Sequence, residues 1–248
     1  MKTILITGCS SGFGLEMAKY FLDRNWKVVA TMRTPRDGVL PQSEHLRLLR
    51  LDVTDAESIR RTVEEAGPID VLVNNAGVGM LGPFESLSMD AVRDVFETNT
   101  FGTMAVTQAF LPQFRTRKAG IIVNIASSVT LKTLPLLSVY TASKAAIVSF
   151  TKSLALELEE FNIKVGVVLP GMAPETAFAS NAHERVAQAF PNDYAAAMNA
   201  MLSGFQNYDG PVTRAVDVAE VVWQAVQDAP TAFRLPAGAD AIEWFNRN

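Results

Sequence analysis

Seven short runs rich in β-branched and other apolar residues alternate along this chain with longer segments of helical period, and that alternation admits few folds. The runs are Thr3–Thr7, Lys27–Thr31, Leu46–Leu51, Ile69–Asn74, Ile121–Ile125, Lys164–Leu169 and Ala232–Leu235. Between them the pattern predicts helices at about Gly12–Asn25, Asp55–Ala66, Met89–Phe101, Gly102–Arg117, Val139–Phe161 and Ala215–Gln227. Thr54 precedes an acidic first turn at Asp55 and Glu57, Ser88 precedes Met89-Asp90, and Gly67-Pro68 is a stop signal. Nearly continuous apolar strands want cover on both faces, which a parallel sheet between helix layers provides. The expected class is therefore α/β: a three-layer, Rossmann-type, doubly wound sheet of about seven parallel strands. No repeat or flexible linker divides the chain, so residues 1–248 are expected to form one domain. Residues 174–211 form a long excursion between the sixth strand and the next helix, expected to act as a lid.

Composition removes several chemistries. A single cysteine cannot close an internal disulfide, and His45 and His183, the two histidines, make no cluster of zinc-site spacing. A metal-free protein of a reducing compartment is expected. The balance of 22 Lys+Arg against 26 Asp+Glu leaves a formal charge of −4 without a basic run, so no nucleic-acid or anionic membrane partner is expected. The apolar start is too short for a signal peptide and no stretch is long enough to span a bilayer, which points to the cytoplasm.

The first strand leads directly into Thr7-Gly8-Cys9-Ser10-Ser11-Gly12-Phe13-Gly14, and helical period resumes at once with Leu15, Ala18 and Phe21. Glycines suit a tight strand-to-helix turn whose backbone N–H groups must approach a phosphate, and the helix N-terminus adds donors and partial positive charge. At the head of a βαβ unit the loop predicts dinucleotide binding. Sites that bind NAD usually place an acid about 20 residues on, for the ribose 2′-hydroxyl. Here Met32-Arg33 stands 18 to 19 residues past Gly14. A guanidinium suits a 2′-phosphate, with Ser10 or Ser11 as a further donor, so NADP(H) is preferred over NAD.

Tyr140 and Lys144 are four residues apart on a predicted helix and share a face. Ser127 follows the fifth strand thirteen residues before Tyr140, at the strand ends where open α/β sheets bind ligands, and Asn99 lies near a helix junction. With these residues the chain resembles the short-chain dehydrogenase/reductase family, from Thr7 to about Ala237. The matching motifs are the loop Thr7 to Gly14, the pair Asp52-Val53, Asn74-Asn75-Ala76-Gly77, and Pro170-Gly171. Asn99, Ser127, Tyr140 and Lys144 match the family's catalytic tetrad. Spacing resembles the single-domain carbonyl reductase and alcohol dehydrogenase branch: the lysine follows the tyrosine by four residues, not about seven as in enoyl reductases.

The resemblance implies reversible, NADPH-dependent reduction of a ketone or aldehyde to an alcohol. Tyr140 would be the general acid/base, Lys144 its positive neighbour and a holder of the nicotinamide ribose, and Ser127 the residue that orients the substrate oxygen. Asn99 would hold a water in the proton relay. Cofactor contacts are implied for Gly8, Ser10, Ser11, Gly12, Phe13, Gly14, Arg33, Asp52, Val53, Asn75, Ala76, Gly77, Tyr140, Lys144, Pro170, Gly171, Met172 and Thr176. Two positions depart from the family: Thr176 comes six residues after Pro170, not five, and Thr130 stands where glycine is usual three residues after the serine. Phe178, Phe190, Tyr194, Met198, Met201, Leu202 and Phe205 in the excursion suit an adaptable apolar pocket, so a bulky hydrophobic or aryl substrate is expected. The resemblance also implies a homodimer or homotetramer through the helices Gly102–Arg117 and Val139–Phe161. A non-catalytic NADP-binding sensor of the same fold, and a lyase or epimerase using the same Tyr/Lys pair, are the alternatives.

Overall fold

The computed structural model describes residues 1–176, 190–227 and 233–247. Strands β1 (Thr3–Ile6), β2 (Lys27–Met32), β3 (Leu46–Arg50), β4 (Val71–Asn74), β5 (Gly120–Ile125), β6 (Ile163–Pro170) and β7 (Arg234–Ala237) form one sheet. All pairings are parallel and the order is β3-β2-β1-β4-β5-β6-β7. The helices are α1 (Gly12–Leu22), α2 (Ala56–Ala66), α3 (Met89–Phe96), α4 (Gly102–Arg117), α5 (Ser138–Glu157), α6 (Ala195–Gln206), α7 (Ala215–Gln227) and α8 (Ala239–Asn246).

Successive strand residues point to opposite faces, and each face has its own core. Ile4 and Ile6 pack with Val28, Ala30, Val71 and Val73 under α1 and α7, while Leu5, Val29 and Leu72 pack under α2, α4 and α5. On the first face Phe21 meets Trp26 and Trp223 edge-on at 5.2 and 5.3 Å. Each such pair contributes about 0.5–1.5 kcal/mol beyond the burial of its area. On the second, Val106, Phe110 and Phe114 of α4 are wholly buried. These two layers clamp the sheet and leave its C-terminal edge as the place where loops converge.

Several boundaries differ from the sequence expectation for identifiable reasons. The helix expected over Met89–Phe101 is α-helical only to Phe96, and Glu97–Phe101 widens into a π turn in which the Gly102 N–H reaches back to the Glu97 carbonyl. Asp55, not Thr54, caps α2, its carboxylate accepting from the Glu57 N–H. Ser88 caps α3 as expected, accepting from the Ala91 N–H. The first helix ends at Leu22, and Asn25 turns the chain at φ 58°. α5 ends at Glu157, followed by a 3-10 turn at Glu159–Phe161. The last strand runs Arg234–Ala237, and Ala232, where it was expected to begin, lies outside the described residues. α8 was not expected from the sequence. Within the excursion, residues 177–189, including Phe178 and His183, lie outside the described residues; Asn192–Tyr194 is a 3-10 turn and α6 follows. Among the described residues no helix is long and apolar enough to cross a membrane.

Candidate active site

The strand order reverses between β1 and β4, since β1 continues to β2 on one side and β4 to β5 on the other. A crevice opens at such a switch point, at the C-terminal strand ends. Its floor is stitched together by hydrogen bonds. The Asn75 carboxamide donates to the carbonyls of Thr7 and Gly8 at 2.8 and 3.1 Å, and the Thr7 hydroxyl accepts from the Asn75 and Ala76 N–H groups, both at 2.9 Å. Gly14 lies so close under the loop that a Cβ there would sit 2.3 Å from the Gly8 carbonyl oxygen. Only glycine permits that approach. α1 begins at Gly12 with no side-chain cap from Ser11 and no acid in its first turn, so its leading N–H groups remain available for an anion. This cradle fits a dinucleotide pyrophosphate. Phe13 instead turns toward the core beneath α1, and buried Cys9 donates its thiol to the Ile6 carbonyl at 3.2 Å.

Beyond β2 the positive groups gather. Arg33 is exposed at the strand end, and its carbonyl accepts from Arg50 Nε at 3.3 Å. Arg36, which no sequence motif marks, reaches back to the Ser10 carbonyl of the glycine loop at 3.5 Å. Met32 is buried in the core and offers nothing to the crevice. Burial pushes the Asp52 carboxyl up, but hydrogen bonds from Thr54 and the charges of Arg33 and Arg50 outweigh it and hold the group below its usual range. Val53 packs against α4, where a Cβ on Gly102 would lie 2.7 Å from it.

On the other side of the switch point lie the four residues of the expected tetrad. Ser127 follows β5 and opens a 3-10 turn, its Oγ accepting from the Val129 N–H at 3.3 Å. Tyr140 and Lys144 stand one turn apart on α5, 7% and 4% exposed. Tyr140 and Ser127 share a hydrogen bond. Burial pushes the phenol up to about 12, partly offset by that bond. Burial lowers the Lys144 ammonium to about 8. Its Nζ donates to the Ile125 carbonyl at 2.9 Å, which leaves further donors for other acceptors. A Cβ on Gly77 would come within 3.2 Å of Asn99 Oδ1 and 3.3 Å of Lys144 Nζ, so these three residues converge.

Asn99 sits in the π turn, and its amide makes three hydrogen bonds. Oδ1 accepts from the Val78 N–H at 2.8 Å, and Nδ2 donates to the Val78 carbonyl at 2.9 Å and to Ser143 Oγ at 3.0 Å. Ser143, unremarked in the sequence, is wholly buried and donates to the Tyr140 carbonyl at 2.8 Å, while Thr100 donates to the Ser143 carbonyl at 3.1 Å. The π turn thus fastens α5 at the residue between Tyr140 and Lys144. Asn74 faces away from the crevice. Its amide donates to Thr107 and Asn124 at 2.9 and 2.8 Å, and Asn124 donates to Thr151 at 2.8 Å, a buried polar seam from the sheet to α4 and α5.

The segment after β6 closes the far side. Pro170-Gly171-Met172 turns at the strand end, and Thr176 is buried with its Cβ 3.4 Å from where Gly12 would carry one. The register departure noted in the sequence therefore still brings Thr176 to the glycine loop. Of the apolar residues in the excursion, Met198 is buried, Phe205 is exposed, and Tyr194 hydrogen-bonds Glu85, a contact between distant segments that the sequence did not signal.

The sequence pattern of the short chain dehydrogenases matches residues 2–187. The chain is 36% identical over 254 residues to retinol dehydrogenase 8 of Bos taurus, covering 94% of this chain and 80% of that protein. It is 35% identical over 261 residues to estradiol 17-beta-dehydrogenase 1 of Rattus norvegicus, covering 99% of this chain and 73% of the relative. It spans 58% of human retinol dehydrogenase 8 at 41% identity. Among solved structures, a short-chain dehydrogenase from Streptomyces avermitilis superimposes with a TM-score of 0.82 at 30% identity, over 99% of this chain and 91% of that one. One from Burkholderia cenocepacia, in complex with NADP, gives 0.79 at 25% identity, over 99% and 93%. The chain belongs to the short-chain dehydrogenase family, and it is an oxidoreductase of that family.

Burial of Lys144 has a consequence for stability. Unfolded, the ammonium titrates at its ordinary 10.5; folded, it titrates at about 8. Between these values the unfolded chain binds more protons, so this group makes stability rise with pH in that window. Urea unfolding of wild type and Lys144→Met across the window is expected to show the wild type gaining on the variant as pH rises. A constant difference would refute the buried, depressed ammonium.

Proposed function

We propose that this chain catalyses reversible, NADPH-dependent reduction of a ketone or aldehyde to the alcohol, on a bulky hydrophobic or aryl substrate. The observation that carries this reading is the buried Ser127–Tyr140 hydrogen bond with Lys144 one turn along the same helix face. Bound NADPH supplies the hydride. The carbonyl oxygen that gains charge needs a proton and hydrogen-bond donors in a water-poor site. Tyr140, held protonated by burial, donates that proton, and Ser127 orients the oxygen beside it. Lys144 offers the donors not used by Ile125 to the ribose hydroxyls, and its charge favours the phenolate that alcohol oxidation requires. Each pKa unit it moves the phenol is worth about 1.4 kcal/mol. Asn99 braces α5 through Ser143; with its amide engaged, a relay water would be held at its backbone carbonyl, beyond the bond that Thr103 donates there at 3.0 Å.

The preference for NADP(H) is supported by Arg33 and Arg36, which flank the adenosine end of the crevice, and by the NADP complex of the Burkholderia relative. The apolar substrate class is supported by the excursion's side chains and by the relatives named for retinol and estradiol.

Tyr140→Phe is expected to lose turnover by at least about 100-fold while NADPH binding, followed by nucleotide fluorescence, stays near wild type; full activity would sink the assignment. Arg33→Ala is expected to weaken NADPH by roughly tenfold or more, with NADH little changed. Equal effects on both nucleotides would remove the guanidinium from the 2′-phosphate. Introducing an acid at Met32 is a poor test, because that side chain is buried. Across ketones of graded apolar size, kcat/KM is expected to rise with size, and a fall would overturn the substrate class.

A further inference from the structure

Asp240 and Thr213 are remote in sequence from every motif above, yet they meet at the turn that closes the crevice. Asp240 opens α8 and is wholly buried. One carboxylate oxygen accepts from the Met172 N–H at 2.6 Å and the other from the Thr213 hydroxyl at 2.7 Å. Thr213 Oγ1 also accepts from the Gly171 N–H at 2.9 Å, and its own N–H donates to the Met172 carbonyl at 2.8 Å. The Gly171 and Met172 N–H groups and the Met172 carbonyl are thereby all engaged by Thr213 and Asp240, with the Ala237 carbonyl sharing the Gly171 N–H at 3.2 Å and the Thr213 hydroxyl at 3.0 Å. A Cβ on Gly171 would lie 2.1 Å from Asp240 Oδ1, so the carboxylate approaches only because that residue is glycine. A buried acid is costly unless its hydrogen bonds are fully made. A joint that needed only cohesion could use apolar contacts, whereas this one fixes direction.

The place of that turn follows from the topology. With a pyrophosphate on the glycine loop between β1 and β4, the adenosine half lies toward β2 and Arg33. The other half must then lie toward β5 and β6, where Ser127 and Tyr140 stand. The segment 170–176 leaves β6 on that side and returns to the glycine loop at Thr176. It therefore flanks the nicotinamide half of the crevice, and its root is held by Asp240 and Thr213. Resting on the cofactor reading above, we infer that Asp240 and Thr213 are positioning residues that set the Gly171–Met172 backbone for the nicotinamide half of NADP(H).

The test separates the two halves of the cofactor in full-length protein. Dissociation constants of NADPH and of adenosine 2′,5′-bisphosphate, which lacks the nicotinamide half, are measured for wild type, Asp240→Asn, Thr213→Val and Thr213→Ser. The first two variants are expected to weaken NADPH by about tenfold and leave the bisphosphate within about twofold, with Thr213→Ser near wild type because it keeps the hydroxyl. kcat is expected to fall by up to about 100-fold with a larger primary isotope effect from deuterated NADPH and little change in the KM for ketone. Thr213→Val carries the test if Asp240→Asn fails to fold by circular dichroism. Equal weakening of both nucleotides, or no weakening of either, overturns the positioning role while an active wild type keeps the reductase reading. A wild type that binds neither nucleotide overturns the cofactor reading, and the positioning role with it.

Discussion

The carboxamide of Asn75, donating to the carbonyls of Thr7 and Gly8, joins the end of β1 to the end of β4 at the place where the strand order reverses. Everything that makes the crevice usable depends on that join. It holds the glycine loop beneath the start of α1, aligns the first helical N–H groups, and keeps Ala76 and Gly77 low enough for Asn99 and Lys144 to meet above them. The join is local in space but spans 68 residues of chain. It exists only because the parallel ladder places Ile6 beside Val73.

The chemistry of the site is a consequence of how α5 is fastened. A helix carrying Tyr140 and Lys144 would gain nothing from their spacing if it could rotate by a fraction of a turn. The π turn at Glu97–Phe101 adds one residue to the helical circuit, which brings Asn99 and Thr100 both onto Ser143. π turns recur at functional sites because such an insertion redirects side chains without ending the helix. The same packing that fixes orientation removes water, and so moves both titrations: burial raises the phenol to about 12 and lowers the ammonium to about 8. Position and acidity have one origin. The C-terminal strut of Asp240 and Thr213 does for the opposite wall what Ser143 does for α5.

Much of this was legible in the chain. The glycine loop, the run Asn75-Ala76-Gly77, and the Ser127, Tyr140 and Lys144 spacing are short patterns whose meaning is carried by a strand and the turn after it, so sequence order nearly equals spatial order. All seven strands were located to within a few residues from apolar runs, because both faces of a parallel strand are buried. Arg36, Ser143, Thr213 and Asp240 were not legible. Each acts on a partner that is fixed by packing between elements: Arg36 across 26 residues, Thr213 across 42 and Asp240 across 68. Ser143 lies inside the Tyr140 to Lys144 motif, yet its role depends on an amide N–H donor from a turn 44 residues earlier. The π turn at Glu97–Phe101 showed in the sequence only as a junction between two predicted helices at Phe101 and Gly102, since its widened hydrogen bond has no residue signature of its own.

Residue types along single strand-turn-helix units already encode the class of fold, the glycine loop, the Tyr140 and Lys144 pair proposed for proton transfer, and the basic group past β2. Tertiary structure decided which way those groups face and how strongly they ionise. It turned Asn74 into a strut and left Asn75 to hold the loop, buried Met32 while exposing Arg33, and engaged the Asn99 amide so that it braces a helix. The physical reason is the same throughout. Orientation and desolvation are properties of packed neighbours, and neighbours far apart in the chain meet only when the sheet and its two helix layers are assembled.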